Sequence, residues 1–413
     1  MLISLRTQAF AAALFAAVLI SLPSSVAQAV ETVDLPAEPP ARRTVALEVV
    51  WRVGGDDEDV LLGLITSGVI DDNGNVLLAD QQLAHVLVVS PEGEVIATLG
   101  REGDGPGELR SLQSVFLAED RVGMVQGFPG KVVYVDRDGV PAGGFTLGGE
   151  EAGGHYSVRD LRCVGTMLVG HTDRSSINFD ADEAVTRATL SILDLDGGFG
   201  TELASHEVSR GIMTIVLDEA AEWSEFASWA VSPHGMVATV AERDGWVVNE
   251  RSLDGVLQRV LHRQCKPRKR TDEEMEEAVS RIHVAVATGR STMKRKPLNT
   301  DPAIVDLQYA GDGRLFVTTC HNAAGQFAAG VAGRFDVITP GGEYLEELTL
   351  TFAEFDPEQD VLIFLDGTNF LILQNYEDTE KAIYATHLPE EEREDLSDVE
   401  PFEVVLVKVP DQM

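Results

Sequence analysis

Short apolar runs, each closed by a turn signal, recur along the chain from Val45 onward. Between Ser67 and Gly100 they read GVI, NVLLA, HVLVV and EVIATL, with Asp72-Asn73-Gly74 after the first run and Pro91-Glu92-Gly93 after the third. Runs this short, rich in Val, Ile and Leu and bounded by hairpin residues, predict β-strands rather than helices. The same grammar restarts in SVFLAEDRVGMVQGFPGKVVYVDRDGVPAGGFTLGG, from Ser114. The turn between first and second strands recurs near Asn73, Asp120, Val164, His234, Asp312 and Asp366. The turn between third and fourth recurs near Glu92, Asp138, Asp196, Asp254 and Gly341, and is missing from the last unit.

That gap has a partner. The last unit ends on a single strand, PFEVVLVKV (Pro401 to Val409), while VALEVVWRVGG (Val45 to Gly55) stands unattached ahead of the first unit. Lending the early strand to the last sheet removes the exposed edge that an open array would leave. The expected fold is therefore all-β: a six-bladed β-propeller closed by an N-terminal strand, spanning 45–413. Two β-sandwich domains are the competing fold, but they explain neither the orphan strand nor the repeated order of turns.

One helical insertion, about 266–300, interrupts the pattern between blades four and five. Thr271 followed by Glu274 is a capping-box signal, and Met275, Val279, Ile282 and Val286 recur at helical spacing, predicting a helix from Asp272 to Ala287. Its flanks, KPRKR and KRK, are basic in an acidic chain. Neutralisation by neighbouring carboxylates is the expected reason, and docking of an acidic partner is the alternative.

GVIDDNGNVLLAD (Gly68 to Asp80), WRVGG (Trp51 to Gly55) and above all GREGDGPGEL (Gly100 to Leu109) resemble the NHL-like six-bladed β-propellers found as secreted bacterial proteins. The resemblance covers the first two blades, about a quarter of the chain. Blade three departs from it, with RCVGTMLVGH in place of an Asp-Gly turn and the insert TDRSSINFDADEAVTR after it. The resemblance implies that the glycine-rich corner carries the chain from a blade's outer strand back to the next innermost one. Asp104 and Glu108 there are expected to serve turn chemistry rather than a metal.

Compartment follows from the start of the chain. Arg6, an apolar run from Ala9 to Leu22 and the pattern Ala27-Gln28-Ala29 read as a secretory signal over 1–29, cleaved after Ala29, which places the protein in the periplasm or outside the cell. A linker is expected over 30–44, and no later segment is apolar enough for a transmembrane helix. A net charge of −36 argues against nucleic acid as a partner. A monomer is the expected state. Cys163, Cys265 and Cys320 allow three single pairings, with one thiol left over.

None of HExxH, the P-loop, GxSxG or CxxC is present. A propeller nonetheless gathers the ends of its second strands on one face. Asp80, Gln126, His171, Glu242, His321 and Asn375 follow those strands, and His85, Asp173, Arg174 and Asn322 lie in the same loops. These ten form the expected ligand-binding face, for a protein, peptide or glycan. The alternative function is a metal-assisted hydrolase or lyase of the lactonase or amidating-lyase propeller type, with calcium or zinc as cofactor. The metal-binding set of those families does not map onto this chain, so no catalytic residue is assigned and binding is preferred.

Overall fold

The computed structural model describes residues 30–55, 60–148, 155–280, 292–323, 327–385 and 400–410. Blade one consists of Ile65–Ile70, Val76–Asp80, His85–Val89 and Val95–Leu99, paired antiparallel in that order. Its second strand is buried at every position, as expected of a sheet covered on both faces by its neighbours. The turn before it is held by Asp71, whose Oδ1 accepts from the amides of Asn73 and Asn75, both at 2.9 Å. Gly74 in that turn has φ +80°, a conformation glycine adopts without strain.

Five more sheets repeat this unit, so the six-bladed propeller is present. The first strands of neighbouring blades approach one another, which makes them the innermost. Among the described residues six apolar clusters fill the gaps, one between each pair of adjacent blades. Blade six is completed from the N-terminal side. Glu48–Gly54 pairs antiparallel with Glu403–Lys408, from Glu48 opposite Lys408 to Gly54 opposite Glu403.

Residues 30–44 are not the expected linker. Glu31–Leu35 adds a fifth strand, parallel, to the outer strand Leu257–Arg263 of blade four. Arg42–Ala46 does the same to Tyr344–Thr351 of blade five. The physical reason is the free edge each outer strand offers, which the segment covers on its way to blade six. The region 1–29, with the expected signal and cleavage point, lies outside the described residues.

Gly100 to Arg110 forms the corner between blades one and two. Glu108 accepts from the Gly105 amide at 2.8 Å and Asp104 from Arg110 Nε at 2.7 Å, so both carboxylates are engaged in turn chemistry. At Gly100, φ is +74° and a Cβ would lie 2.7 Å from Met124 Sδ.

Blade three differs from the others in length. Its last three strands, Met167–Asn178, Glu183–Asp194 and Phe199–Arg210, each run to 12 residues. The insert after His171 thus prolongs the second strand, turns at 179–182 and returns as the start of the third, forming a β-hairpin arm. The insertion between blades four and five carries the helix Asp272–Ser280, with both halves of the capping box formed: Glu274 N to Thr271 Oγ1 at 3.2 Å, and Thr271 N to Glu274 Oε2 at 2.7 Å. The remainder of the expected helix, to Ala287, lies outside the described residues. Past it, Thr292–Lys296 pairs in parallel with Thr214–Asp218. The chain also makes the helix Tyr376–Ala385, between the second and third strands of blade six.

Candidate binding face

The ten expected residues do not form one constellation. Asp80 is fully buried, and its carboxylate accepts from the amides of Gly63 at 2.7 Å and Leu83 at 2.9 Å, closing its own loop. His85 stands opposite it across the hairpin, and burial pushes its imidazole below the ordinary histidine range despite the nearby Asp80 charge. Gln126 is also committed: it accepts from the Arg110 amide at 2.9 Å and donates to the Pro129 carbonyl at 3.0 Å. Asn375 has φ +59° and donates to the Pro401 carbonyl at 3.0 Å. Glu242 is exposed.

His171, Asp173 and Arg174 lie within the long strand of blade three rather than at a strand end. His171 Nε2 is 3.7 Å from Asp173 Oδ1, and its ring meets Phe226 edge-on at 4.9 Å. Burial again lowers its affinity for a proton, with Asp173 pulling the other way. Asp173 accepts from Arg159 Nε at 2.6 Å, and the Arg174 guanidinium lies over the Tyr156 ring. His321 and Asn322 follow the second strand of blade five; His321 is exposed, while Asn322 is buried.

A polar arc that strand-end reasoning misses lies on the innermost strands. Arg162 of blade three contacts Asp160 Oδ2 at 3.0 Å and lies over the Trp229 ring at 4.7 Å. It then reaches past blade four to Gln308 of blade five at 3.4 Å, and Gln308 donates to Asp306 Oδ2 at 3.0 Å. Ser228 Oγ is 3.4 Å from Asp306 Oδ1. Burial raises the Asp306 carboxyl above the usual aspartate range, against the opposing hydrogen bond from Gln308 and the charge of Arg162. The sequence does carry a signal for these residues: Asp160 and Arg162, like Asp306 and Gln308, sit two apart in a first strand, on one face of it.

Ser228 belongs also to a cavity of about 290 Å³ between blades four and five. Trp223, Ala227, Val240, Pro302, Ile304 and Val305 give it apolar walls, and Arg268, Asp301 and Cys320 line it too. The insertion is fixed beside it by ion pairs. Glu219 takes Arg243 at 2.6 Å and Arg270 at 2.7 Å, Asp301 takes Arg270 at 2.8 Å, and Arg268 bonds Glu274 at 2.9 Å. Burial acts against the Glu219 carboxylate but is outweighed by Arg270, the Leu298 amide and Arg243, so its pKa stays below the usual range. Arg268 and Arg270 of the KPRKR flank are thus paired within the protein. Two further depressions open elsewhere, one of about 270 Å³ bordered by Gln81, Gln113, Phe128 and Arg159, the other of about 420 Å³ bordered by Asp356, Asp360, Asn375 and Glu400.

Among the described residues no group of three or more His, Cys, Asp and Glu side chains is arranged to hold a metal ion. No helix of the described residues is long and apolar enough to cross a membrane.

No family model and no curated protein matches the sequence. Among solved structures, the chain is similar to a member of the DUF4221 family from Bacteroides vulgatus, at 11% identity and a TM-score of 0.47 over 89% of this chain and 98% of that one. It is similar also to the calcium-binding protein regucalcin from Agrobacterium tumefaciens, at 10% identity and TM-score 0.39 over 89% and 97%. A third similar structure is virginiamycin B lyase from Staphylococcus aureus, at 7% identity and TM-score 0.41 over 88% and 100%.

Proposed function

We propose that the protein is an exported propeller of the NHL-like kind that binds a peptide, one apolar side chain of which enters the cavity between blades four and five. The cavity carries this reading. At about 290 Å³ it matches the low end of ligand sites, with apolar walls and a few polar groups to fix orientation. Arg268 and Asp301 supply charge of both signs for a peptide backbone, and His321 and Asn322 stand on the loop beside the lining residue Ala323. The start of the sequence, with its apolar run and Ala27-Gln28-Ala29, supports export. The protein acts as a monomer, and its charge of −36 disfavours nucleic acid.

The test uses an anilinonaphthalene sulfonate dye as probe and short peptides bearing Leu or Phe as competitors. Ala227 is exposed and lines the cavity, so Ala227→Trp fills it without crowding a packed core. The variant should bind the dye at least about tenfold more weakly with an unchanged melting temperature, and the peptides should displace dye from the natural protein. Equal dye binding by the two proteins, or no displacement, overturns the reading.

A further inference from the structure

We infer that Cys265 and Cys320 form a disulfide in the exported protein, joining the root of the insertion to blade five, while Cys163 stays a thiol. Cys265 follows the outer strand of blade four, Leu257–Arg263, by two residues, and Cys320 is the first residue after the strand Leu315–Thr319 of blade five. Contacts from each side hold the two together. The Arg268 amide donates to Cys320 Sγ at 3.3 Å. The Lys266 carbonyl is shared, with Cys265 Sγ 3.8 Å from it and His321 Nε2 at 2.9 Å. The two residues, both free thiols in the structure, therefore flank a single short stretch of chain.

Cys163 belongs to the opposite end of the ring. It precedes the turn between the first and second strands of blade three, 3.6 Å from the Gly165 carbonyl and near Glu119 and Arg121 of blade two. It packs against the apolar cluster between blades two and three, whereas Cys265 packs against the one between blades four and five. Burial pushes its thiol up to about 11, and burial raises the Cys265 and Cys320 thiols too, so it is position and not acidity that sets Cys163 apart.

The oxidant is a disulfide, supplied by a thiol oxidase of the exported compartment or by oxidised glutathione. Cys265, only half-buried, attacks it as the thiolate and releases one thiol. Cys320 then attacks the mixed disulfide. The two cysteines together lose two protons and two electrons as the S–S bond forms, and the oxidant gains them as two thiols. The product closes a loop holding the helix Asp272–Ser280 and the strand Thr292–Lys296 beside the cavity, to whose lining Cys320 belongs.

The inference rests on the export reading only for its compartment, and a chemical oxidant separates the two. Full-length protein is equilibrated with oxidised glutathione, alkylated, and digested without reduction for mass spectrometry; protein from an exporting host is treated the same way. Expected is one cross-linked pair of peptides carrying Cys265 and Cys320, about 2 Da lighter than the two thiol peptides, with Cys163 alkylated. The link should persist in Cys163→Ser and vanish in Cys265→Ser. Alkylated Cys265 or Cys320 in folded protein after glutathione treatment overturns the inference, as does any link to Cys163. A link formed only by glutathione, in protein that keeps Met1, refutes export and leaves the pairing standing.

Discussion

Replacing Trp51 with alanine should destabilise the whole ring rather than one blade. Trp51 and Val53 are each 5% exposed, on the face of the closing strand that packs with Val404 and Leu406 of blade six and with Val76, Leu87 and Val89 of blade one. The indole also lies against Gly93, where a Cβ would come within 2.6 Å of Trp51 Cβ. Removing a buried aromatic side chain of this kind costs about 3–5 kcal/mol. For a domain of ~380 residues the entropy of unfolding is about 0.8 kcal/mol per kelvin, so the melting temperature should fall by ~4–6 °C. Val50, 39% exposed on the same strand, is the control, and Val50→Ala should move the transition by less than about 1 °C. Trp51 Nε1 has no hydrogen-bond partner among the described residues. Trp51→Phe should therefore cost far less than Trp51→Ala, because it deletes an unsatisfied donor along with the second ring. Calorimetry decides: equal shifts for Trp51→Ala and Val50→Ala, or a separate low-temperature transition with the main peak unmoved, would refute ring closure as a cooperative element.

Other outcomes are expected. His171 binds a proton less readily folded than unfolded because it is buried, so its contribution is fully present above the ordinary histidine pKa of about 6.5 and is lost as pH falls below it; in His171→Gln the decline of melting temperature between pH 7 and 5 should be shallower, and an unchanged slope would show that Asp173 and Arg159 compensate the charge. Glu219→Ala leaves the buried Arg243, with Arg270, short of a shared carboxylate, so limited proteolysis should cut within 266–300 sooner and the melting temperature should fall by a few degrees. Intact mass of the exported protein should begin at Val30, and a retained Met1 would refute the signal reading.

The blades were legible because a turn leaves local chemistry behind. Asp71 and Gly74 occupy their positions for reasons internal to five residues, and the same holds near Asp138 and Asp254. ETVDL and RRTVA carry no such mark. They are parallel edge strands whose partners lie more than two hundred residues away, and six of their ten positions are exposed. The face was harder for a related reason. Counting polar residues at strand ends finds groups such as Asp80 and Gln126 that satisfy their own loops, whereas Arg162 and Gln308 meet only once blades three to five stand side by side. The length of the blade-three arm was hidden because His171 falls where shorter blades turn.

The three early strands have a consequence for when the protein becomes whole. Between Glu31 and Gly54 the chain touches blades four, five and six in turn, each through pairing partners far along the sequence. On a ribosome this segment emerges before anything it binds. It has to wait unpaired while six sheets are made, and pairings of such separation form slowly. Capture of the segment 31–54 therefore comes only after blades four, five and six have formed.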